Sequence, residues 1–129
     1  MLLMIKEIKI LICEDESIIA MDLKNSLVRL GYIVTAIVKT GDELLRKFNE
    51  TNPDIIISDI RLHGNSTSIS ALEIISKQSN IPVIFISGLV NAKTVTSGYA
   101  INPCFHLPKP YNIEKLRQTI ELCCSGKEI

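Results

Sequence analysis

The chain has 129 residues, the length of one domain, and its 14 Lys and Arg residues balance 14 Asp and Glu residues. This balance gives no overall field that would attract nucleic acid or an anionic membrane, so we expect neither as a direct partner. No apolar run reaches about 18 residues, and the opening MLLMI lacks the charged start and cleavage site of a signal peptide.

Five apolar runs rich in β-branched residues are predicted to be strands. In chain order they are IKILIC (8–13), YIVTAIV (32–38), DIIIS (54–58), PVIFIS (82–87) and the weaker CFHL (104–107). The third and fourth runs are continuous rather than alternating, which is typical of strands covered on both faces.

Helical spacing of apolar residues predicts helices between these strands. The stripes run from Ile19 to Leu30, Leu44 to Phe48, Ile69 to Ile75 and Ile113 to Cys123, with a poorer candidate over 91–100. Right-handed crossovers between alternating strands and helices predict an α/β fold, a doubly wound five-stranded parallel sheet with helices on both faces. We expect one domain over 1–129.

The four cysteines are interpreted as reduced thiols. Three of Cys13, Cys104, Cys123 and Cys124 lie inside apolar patterns and no pair forms C-x-x-C, so we expect a cytoplasmic protein. Zinc at Cys104 and His106 would lack two further nearby ligands.

Polar side chains follow four of the predicted strands, at the carboxyl edge where doubly wound sheets carry their sites. They are Glu14, Asp15 and Glu16 after the first strand, Asp59 after the third, Ser87 at the end of the fourth, before Gly88, and Lys109 after the fifth, before Pro110. Clustered carboxylates repel one another, and Mg²⁺ relieves that repulsion with oxygen ligands. With a lysine and a hydroxyl, the set describes a site that accepts a phosphoryl group on a carboxylate. Asp59, held at the end of a buried strand, is the predicted nucleophile.

The chain resembles the receiver domain of two-component response regulators, the CheY-like superfamily, across nearly its whole length. The matching stretches are ILICEDE, PDIIISDIRL, IPVIFISG and CFHLPKPY. The resemblance implies the flavodoxin-like receiver fold with strand order 2-1-3-4-5.

The same resemblance implies a role for each residue at the metal. Asp59 is the phospho-accepting aspartate, Asp15 a direct Mg²⁺ ligand, and Glu14 an acid acting mainly through a metal-bound water. The backbone carbonyl of Arg61 completes the protein ligands.

It also implies roles at the phosphoryl group. Ser87 binds the phosphoryl group and transmits its presence to the rest of the domain. Lys109 stands at the position of the family's lysine, and the Lys109-Pro110 peptide is expected to be cis. Three residues before Lys109, where the family has Tyr or Phe, stands His106. We expect either that His106 turns inward as a switch together with Ser87, or that it stays outward while Ser87 acts through the fourth helix.

The function implied is a phosphorylation-controlled switch without a separate substrate. It takes a phosphoryl group from a sensor histidine kinase or phosphotransfer protein and changes the surface of its fourth and fifth helices and fifth strand. We expect that surface to bind a protein partner or a fused output domain. Phosphorylation could also lead the chain to form a homodimer. We expect either a single-domain regulator or a receiver that is part of a larger protein.

Two further departures from the family pattern affect expectations. The segment NSTSIS (65–70) replaces the usual Asp-Gly and acid with Thr67-Ser68, so the loop after the third strand is expected to differ in shape. Arg61 and Leu89, which flank the path of hydrolytic water in the family, offer no obvious group to position that water. We therefore predict a phosphoryl lifetime at the longer end of the family's range.

Four alternative readings remain from the residues. A haloacid-dehalogenase-like phosphatase would need a second acid in a D-x-D pattern, and Asp15-Glu16-Ser17 lacks it. A flavodoxin-like nucleotide carrier would need a phosphate-cradling loop where the acids stand. A cobalamin module requires Asp-x-His-x-x-Gly, whose spacing Asp59, His63 and Gly64 do not match. A degenerate receiver that binds partners without phosphorylation would not need the complete acid, hydroxyl and lysine set.

Overall fold

The computed structural model describes residues 7–60, 66–88, 100, 101 and 103–125, apart from the side chains of residues 66 and 67. Its five strands form one parallel sheet in the order β2-β1-β3-β4-β5, as predicted. The strands are β1 (Lys9–Cys13), β2 (Ile33–Val38), β3 (Ile55–Asp59), β4 (Val83–Ser87) and β5 (Cys104–Pro108).

The interior strands β3 and β4 are buried because both of their faces are covered. Every residue of β4 is buried, and β3 is buried until its last residue, Asp59. In the ladder Ile57 lies beside Ile12 on one side and beside Ile84 on the other. These strands therefore read as continuous apolar runs, which is why the sequence predicted them well.

Within the part of the chain that the structure describes, four helices cover the sheet on both faces, which confirms the doubly wound prediction. They are α1 (Ser17–Arg29), α2 (Gly41–Thr51), α3 (Ser66–Gln78) and α4 (Ile113–Ser125), the last of which the sequence predicted as the fifth helix. The helix predicted over 91–100 falls almost wholly outside the described residues. Within the described ranges, no helix has the length and apolar character needed to cross a membrane.

The core divides into two clusters, one on each face of the sheet. Leu23 and Leu27 of α1 pack with the inward side chains of α4 in one cluster, while Leu44 of α2 and Leu72 of α3 belong to the other. Successive side chains of a strand point to opposite faces. Asp59 follows Ile57 by two residues, so it faces the side covered by α1 and α4.

The turn between β2 and α2 is fixed by a variant of the capping box, in which the acid reaches the N–H of the residue before the N-cap. Thr40 Oγ1 accepts the Glu43 N–H at 3.2 Å, and Glu43 Oε1 accepts both the Thr40 hydroxyl at 3.3 Å and the Lys39 N–H at 3.2 Å. The preceding Val38 carbonyl accepts the Glu14 N–H at 2.9 Å. These bonds hold Lys39 next to the acidic segment that follows β1.

Candidate functional site

The predicted nucleophile and the predicted lysine meet at the carboxyl edge of the sheet. Lys109 Nζ lies 3.2 Å from Asp59 Oδ1, and the two side chains are 34% and 12% exposed. β4 lies between the strands that supply them, and the backbone fixes the approach, because the Lys109 N–H donates to the Ser87 carbonyl at 2.7 Å. The Lys109-Pro110 peptide is cis, as expected. A partly exposed carboxylate is thus held against a fixed cation.

Ser87 occupies the end of the strand next to Asp59. It is 1% exposed, and in the ladder its neighbour Ile86 lies beside Asp59. The Ile60 N–H donates to the Ile86 carbonyl at 2.9 Å, so β3 and β4 stay paired past the acceptor residue. The structure therefore brings Ser87 to the same edge as Asp59 and Lys109, as the sequence predicted.

A small cavity that is open to solvent lies beside these residues, on the face covered by α1. Glu14, Asp59 and Lys109 supply its charged wall, and Tyr111 and apolar side chains such as Ile19 supply the rest. Glu14 is only 4% exposed, whereas Asp15 is exposed to solvent. Two of the predicted acids thus share one cavity with the lysine.

The predicted metal ligands supply oxygen atoms, the donor type that Mg²⁺ prefers. Within the described ranges, no group of three or more His, Cys, Asp and Glu side chains is arranged to hold a metal ion. Mg²⁺ usually keeps several waters and needs one or two protein carboxylates, so it does not require such an enclosing group. Glu14, Asp59 and Lys109 line the same cavity, so its two carboxylates outnumber its one ammonium, and this set of residues fits Mg²⁺. The carbonyl of Arg61 lies outside the described residues.

Tyr111, two residues after Lys109, lines the cavity and was not among the predicted site residues. Burial raises the pKa of its phenol above the ordinary 10.0, and the negative charges of Asp22, Asp59 and Glu14 raise it further. A negative potential at this position is what would favour a cation in the cavity. The available signal was the position of Tyr111 in the turn that follows β5, at the same edge as the other groups.

A second contact that sequence analysis missed lies on the opposite face. Cys13 Sγ and Ser68 Oγ are 3.5 Å apart and buried, so the first turn of α3 is attached to the end of β1. Burial raises the pKa of the Cys13 thiol, hydrogen bonds to Ser68 and Ser58 lower it, and the nearby acids raise it again. Ser68 belongs to the segment in which the sequence departs from the family pattern, and here it has a packing role.

His106 is half-buried on β5, with its ring against Phe85. The ring centroids are 6.1 Å apart and the planes are tilted by 32°. Its role in switching stays a prediction. Arg61 and Leu89 lie outside the described residues. The expectation about phosphoryl lifetime, which depends on them, stays a prediction.

Comparison with known families places these features in context. The family model of the response regulator receiver domain matches residues 10–121 of the chain. The chain is 34% identical over 104 residues to the phyllosphere-induced regulator PhyR of Methylorubrum extorquens, covering 80% of this chain and 38% of PhyR. It is 29% identical over 117 residues to the transcriptional regulatory protein PdtaR of Mycobacterium tuberculosis, covering 91% of this chain and 57% of PdtaR. The chain therefore matches only part of the length of these relatives.

Solved structures show the same likeness. The signal receiver domain of a modulated diguanylate cyclase from Desulfovibrio desulfuricans superposes with a TM-score of 0.81 at 29% identity. That match covers 95% of this chain and 98% of the solved chain, so the whole solved domain corresponds to this fold.

Proposed function

Since the chain belongs to the response regulator receiver domain family, we propose that it is a signalling switch set by phosphorylation of Asp59. The observation that carries this proposal is the contact of Lys109 Nζ with Asp59 Oδ1 at 3.2 Å, at the rim of the cavity that Glu14 lines. An acid held this way is accessible to a donor, yet its position is fixed by a buried strand and a cation.

The chemistry is the transfer of a phosphoryl group from a phosphohistidine. An oxygen of Asp59 attacks the phosphorus, the phosphorus–nitrogen bond breaks, and the imidazole leaves with the electron pair. The product is an acyl phosphate on Asp59. The Lys109 ammonium balances charge on the phosphoryl oxygens, and the Ser87 hydroxyl donates a hydrogen bond to one of them.

Mg²⁺ would be held by Asp15, Asp59 and the carbonyl of Arg61, with Glu14 acting through a bound water. When bound, it supplies positive charge to the phosphoryl oxygens during transfer. Glu14 and Asp59 provide the negative charge that attracts it. Without a bound cation, the Lys109 ammonium reduces the repulsion between these two carboxylates.

Ser87 and His106 are the proposed route from the phosphoryl group to the surface. Ser87 moves toward the phosphoryl group, and His106, which follows two residues after Cys104 on β5, responds from the edge of the sheet. The surface that changes consists of segment 91–100, β5 and α4. Its partner is a downstream protein, a fused output domain or a second phosphorylated copy.

We further propose that the receiver domain spans 1–129 and promotes its own phosphorylation and slow dephosphorylation without turning over a separate substrate. The donor is a sensor histidine kinase or a phosphotransfer protein in the cytoplasm.

Intact-mass spectrometry with Mg²⁺ and acetyl phosphate tests the proposal. The wild type should gain one phosphoryl group, and Asp59→Asn should gain none. Asp42→Asn, which changes an exposed acid in the first turn of α2, is the matched control and should be phosphorylated like the wild type. An added phosphoryl group that persists in Asp59→Asn would overturn the assignment of the acceptor.

A further inference from the structure

Lys39 places a cation beside the acids that follow β1, and no motif of the sequence analysis includes it. Lys39 Nζ donates to Ser17 Oγ at 3.2 Å, across the gap between the β2–α2 turn and the start of α1. Ser17 is the first residue of α1 and directly follows the acidic triplet Glu14-Asp15-Glu16. The ammonium is therefore held at the residue that lies two positions after Asp15, the predicted direct metal ligand.

The backbone of Lys39 is held in place from two sides. Its N–H donates to Glu43 Oε1 within the capping box of α2, and the preceding Val38 carbonyl accepts the Glu14 N–H at 2.9 Å. The turn and the acidic segment thus form one hydrogen-bonded unit. A long flexible side chain on such an anchored backbone keeps its charge near the acids even while its tip moves.

From this geometry we propose that Lys39 sets the affinity of the site for divalent cations, by occupying part of the negative field that a cation would otherwise receive in full. The inference rests on the metal site of the proposed function. Lys39 is a positioning charge here, not a metal ligand, since an ammonium has no lone pair to donate.

Its expected effect is moderate, because Lys39 is exposed and solvent screens it. A charge of +1 several ångströms from a charge of +2 in nearly aqueous surroundings changes a dissociation constant by about three- to tenfold at low ionic strength. The effect should shrink as salt is added, because added ions screen exposed charges first.

Calorimetric titration with Mg²⁺ at low ionic strength tests the inference on the wild type and three variants. Lys39→Gln removes the charge but keeps a donor for Ser17, and it should bind Mg²⁺ about three- to tenfold more tightly than the wild type. Lys39→Arg keeps the charge and should bind like the wild type. Lys47→Gln is the matched control: it removes the same charge from α2, where Lys47 pairs with Glu50 at 3.3 Å, and should leave the affinity unchanged.

The outcomes separate this inference from the proposed function. Equal affinity of the wild type and Lys39→Gln would overturn the role of Lys39 while leaving the metal site in place. An equal gain in Lys47→Gln would also overturn it, because net charge rather than position would then explain the effect. Failure of every variant to bind Mg²⁺ would overturn the metal site itself and the inference with it.

Discussion

At the scale of single residues, Lys109 supplies the fixed positive charge beside the acceptor. Its ammonium is 3.2 Å from Asp59, and its side chain keeps about a third of its surface in solvent. Solvent screens a pair of this kind, so we assign it little effect on folding stability. Its effect should appear in the transfer step, where charge on the phosphoryl oxygens has to be balanced.

Replacing Lys109 should therefore slow phosphorylation more than it affects folding. Lys109→Ala is expected to lower the rate of phosphorylation by acetyl phosphate by about 10²-fold, the typical loss when one stabilising donor is removed from a transition state. Lys115→Ala, which removes an exposed lysine of α4, is the control and should keep the wild-type rate. The measurement is the time course of the phosphorylated mass, and equal rates for both variants would contradict this role.

Two glycines offer a contrast in backbone conformation. Gly31, which follows α1, has φ of +94°, so a side chain there is strained although no atom lies within 4 Å. At Gly88 an added Cβ would meet Lys109 Cδ at 4.0 Å, an ordinary contact. We expect Gly31→Ala to lower the free energy of unfolding by about 1–2 kcal/mol. Gly88→Ala should raise it by about 0.4–1 kcal/mol. Urea denaturation measures both, and a larger loss at Gly88 than at Gly31 would be inconsistent with these backbone angles.

Residue placement could be predicted where it depends on strand ends. Asp59, Ser87 and Lys109 each follow an apolar run, and parallel strands bring such positions to one edge. The place of Tyr111 could not be predicted in this way, because it depends on the path of the turn after β5. The same holds for Lys39, whose position depends on the capping box of α2.

At the scale of elements, local hydrogen bonds define where the helices begin and end. The Thr40 side chain caps α2, and Asn52 ends this helix in the left-handed conformation with φ of 53°. At this C-terminal end, the Thr51 hydroxyl donates to the Lys47 carbonyl at 2.7 Å. No backbone N–H depends on this bond. The two threonines therefore should differ in their contribution.

Thr40→Ala should destabilise the domain by about 1 kcal/mol, the usual effect of losing an N-cap. Thr51→Ala should change stability by less than about 0.5 kcal/mol, because alanine favours the helix and the lost bond is local. Chemical denaturation of both variants provides the comparison. Similar losses for the two would show that the cap is not what stabilises the start of α2.

Strands were predicted more closely than helices. The observed bounds of β3 and β4 lie within one residue of the predicted runs, because burial on both faces leaves an uninterrupted apolar pattern. The helices were predicted by their core stripes alone, and their first turns depend on polar contacts such as Cys13 with Ser68 that periodicity does not register. The departure at Thr67-Ser68 was visible in the sequence, but the packing of Ser68 against Cys13 of β1 depends on the fold.

At the scale of the whole molecule, stability should fall at alkaline pH. Burial is the largest cause that raises the pKa values of Cys13, Tyr32 and Tyr111 above their ordinary values of 9.0 for the thiol and 10.0 for the phenols. A group whose pKa is raised by folding stabilises the folded state below its unfolded pKa, and this contribution is lost as pH rises through the folded pKa. The loss should therefore begin near pH 9 and continue above pH 10.

Tyr111→Phe removes one titrating group from this sum. The free energy of unfolding of this variant should decline less steeply above pH 10 than that of the wild type. The free energy of unfolding of Tyr32→Phe should also decline less steeply than that of the wild type. Urea denaturation at pH 8, 10 and 11 measures the slopes. An identical decline in the wild type and both variants would show that neither phenol contributes.

The assignment of Asp59 as the phosphoryl acceptor depends on the whole molecule, since residues from three strands together form its site. Reduction with borohydride tests it most directly, because hydride converts an aspartyl phosphate to homoserine and leaves free carboxylates unchanged. After phosphorylation with Mg²⁺ and acetyl phosphate, reduction and peptide mass spectrometry, we expect homoserine at position 59 and at no other acid. Homoserine at Asp15 or another acid, or phosphorylated protein without any homoserine, would contradict it.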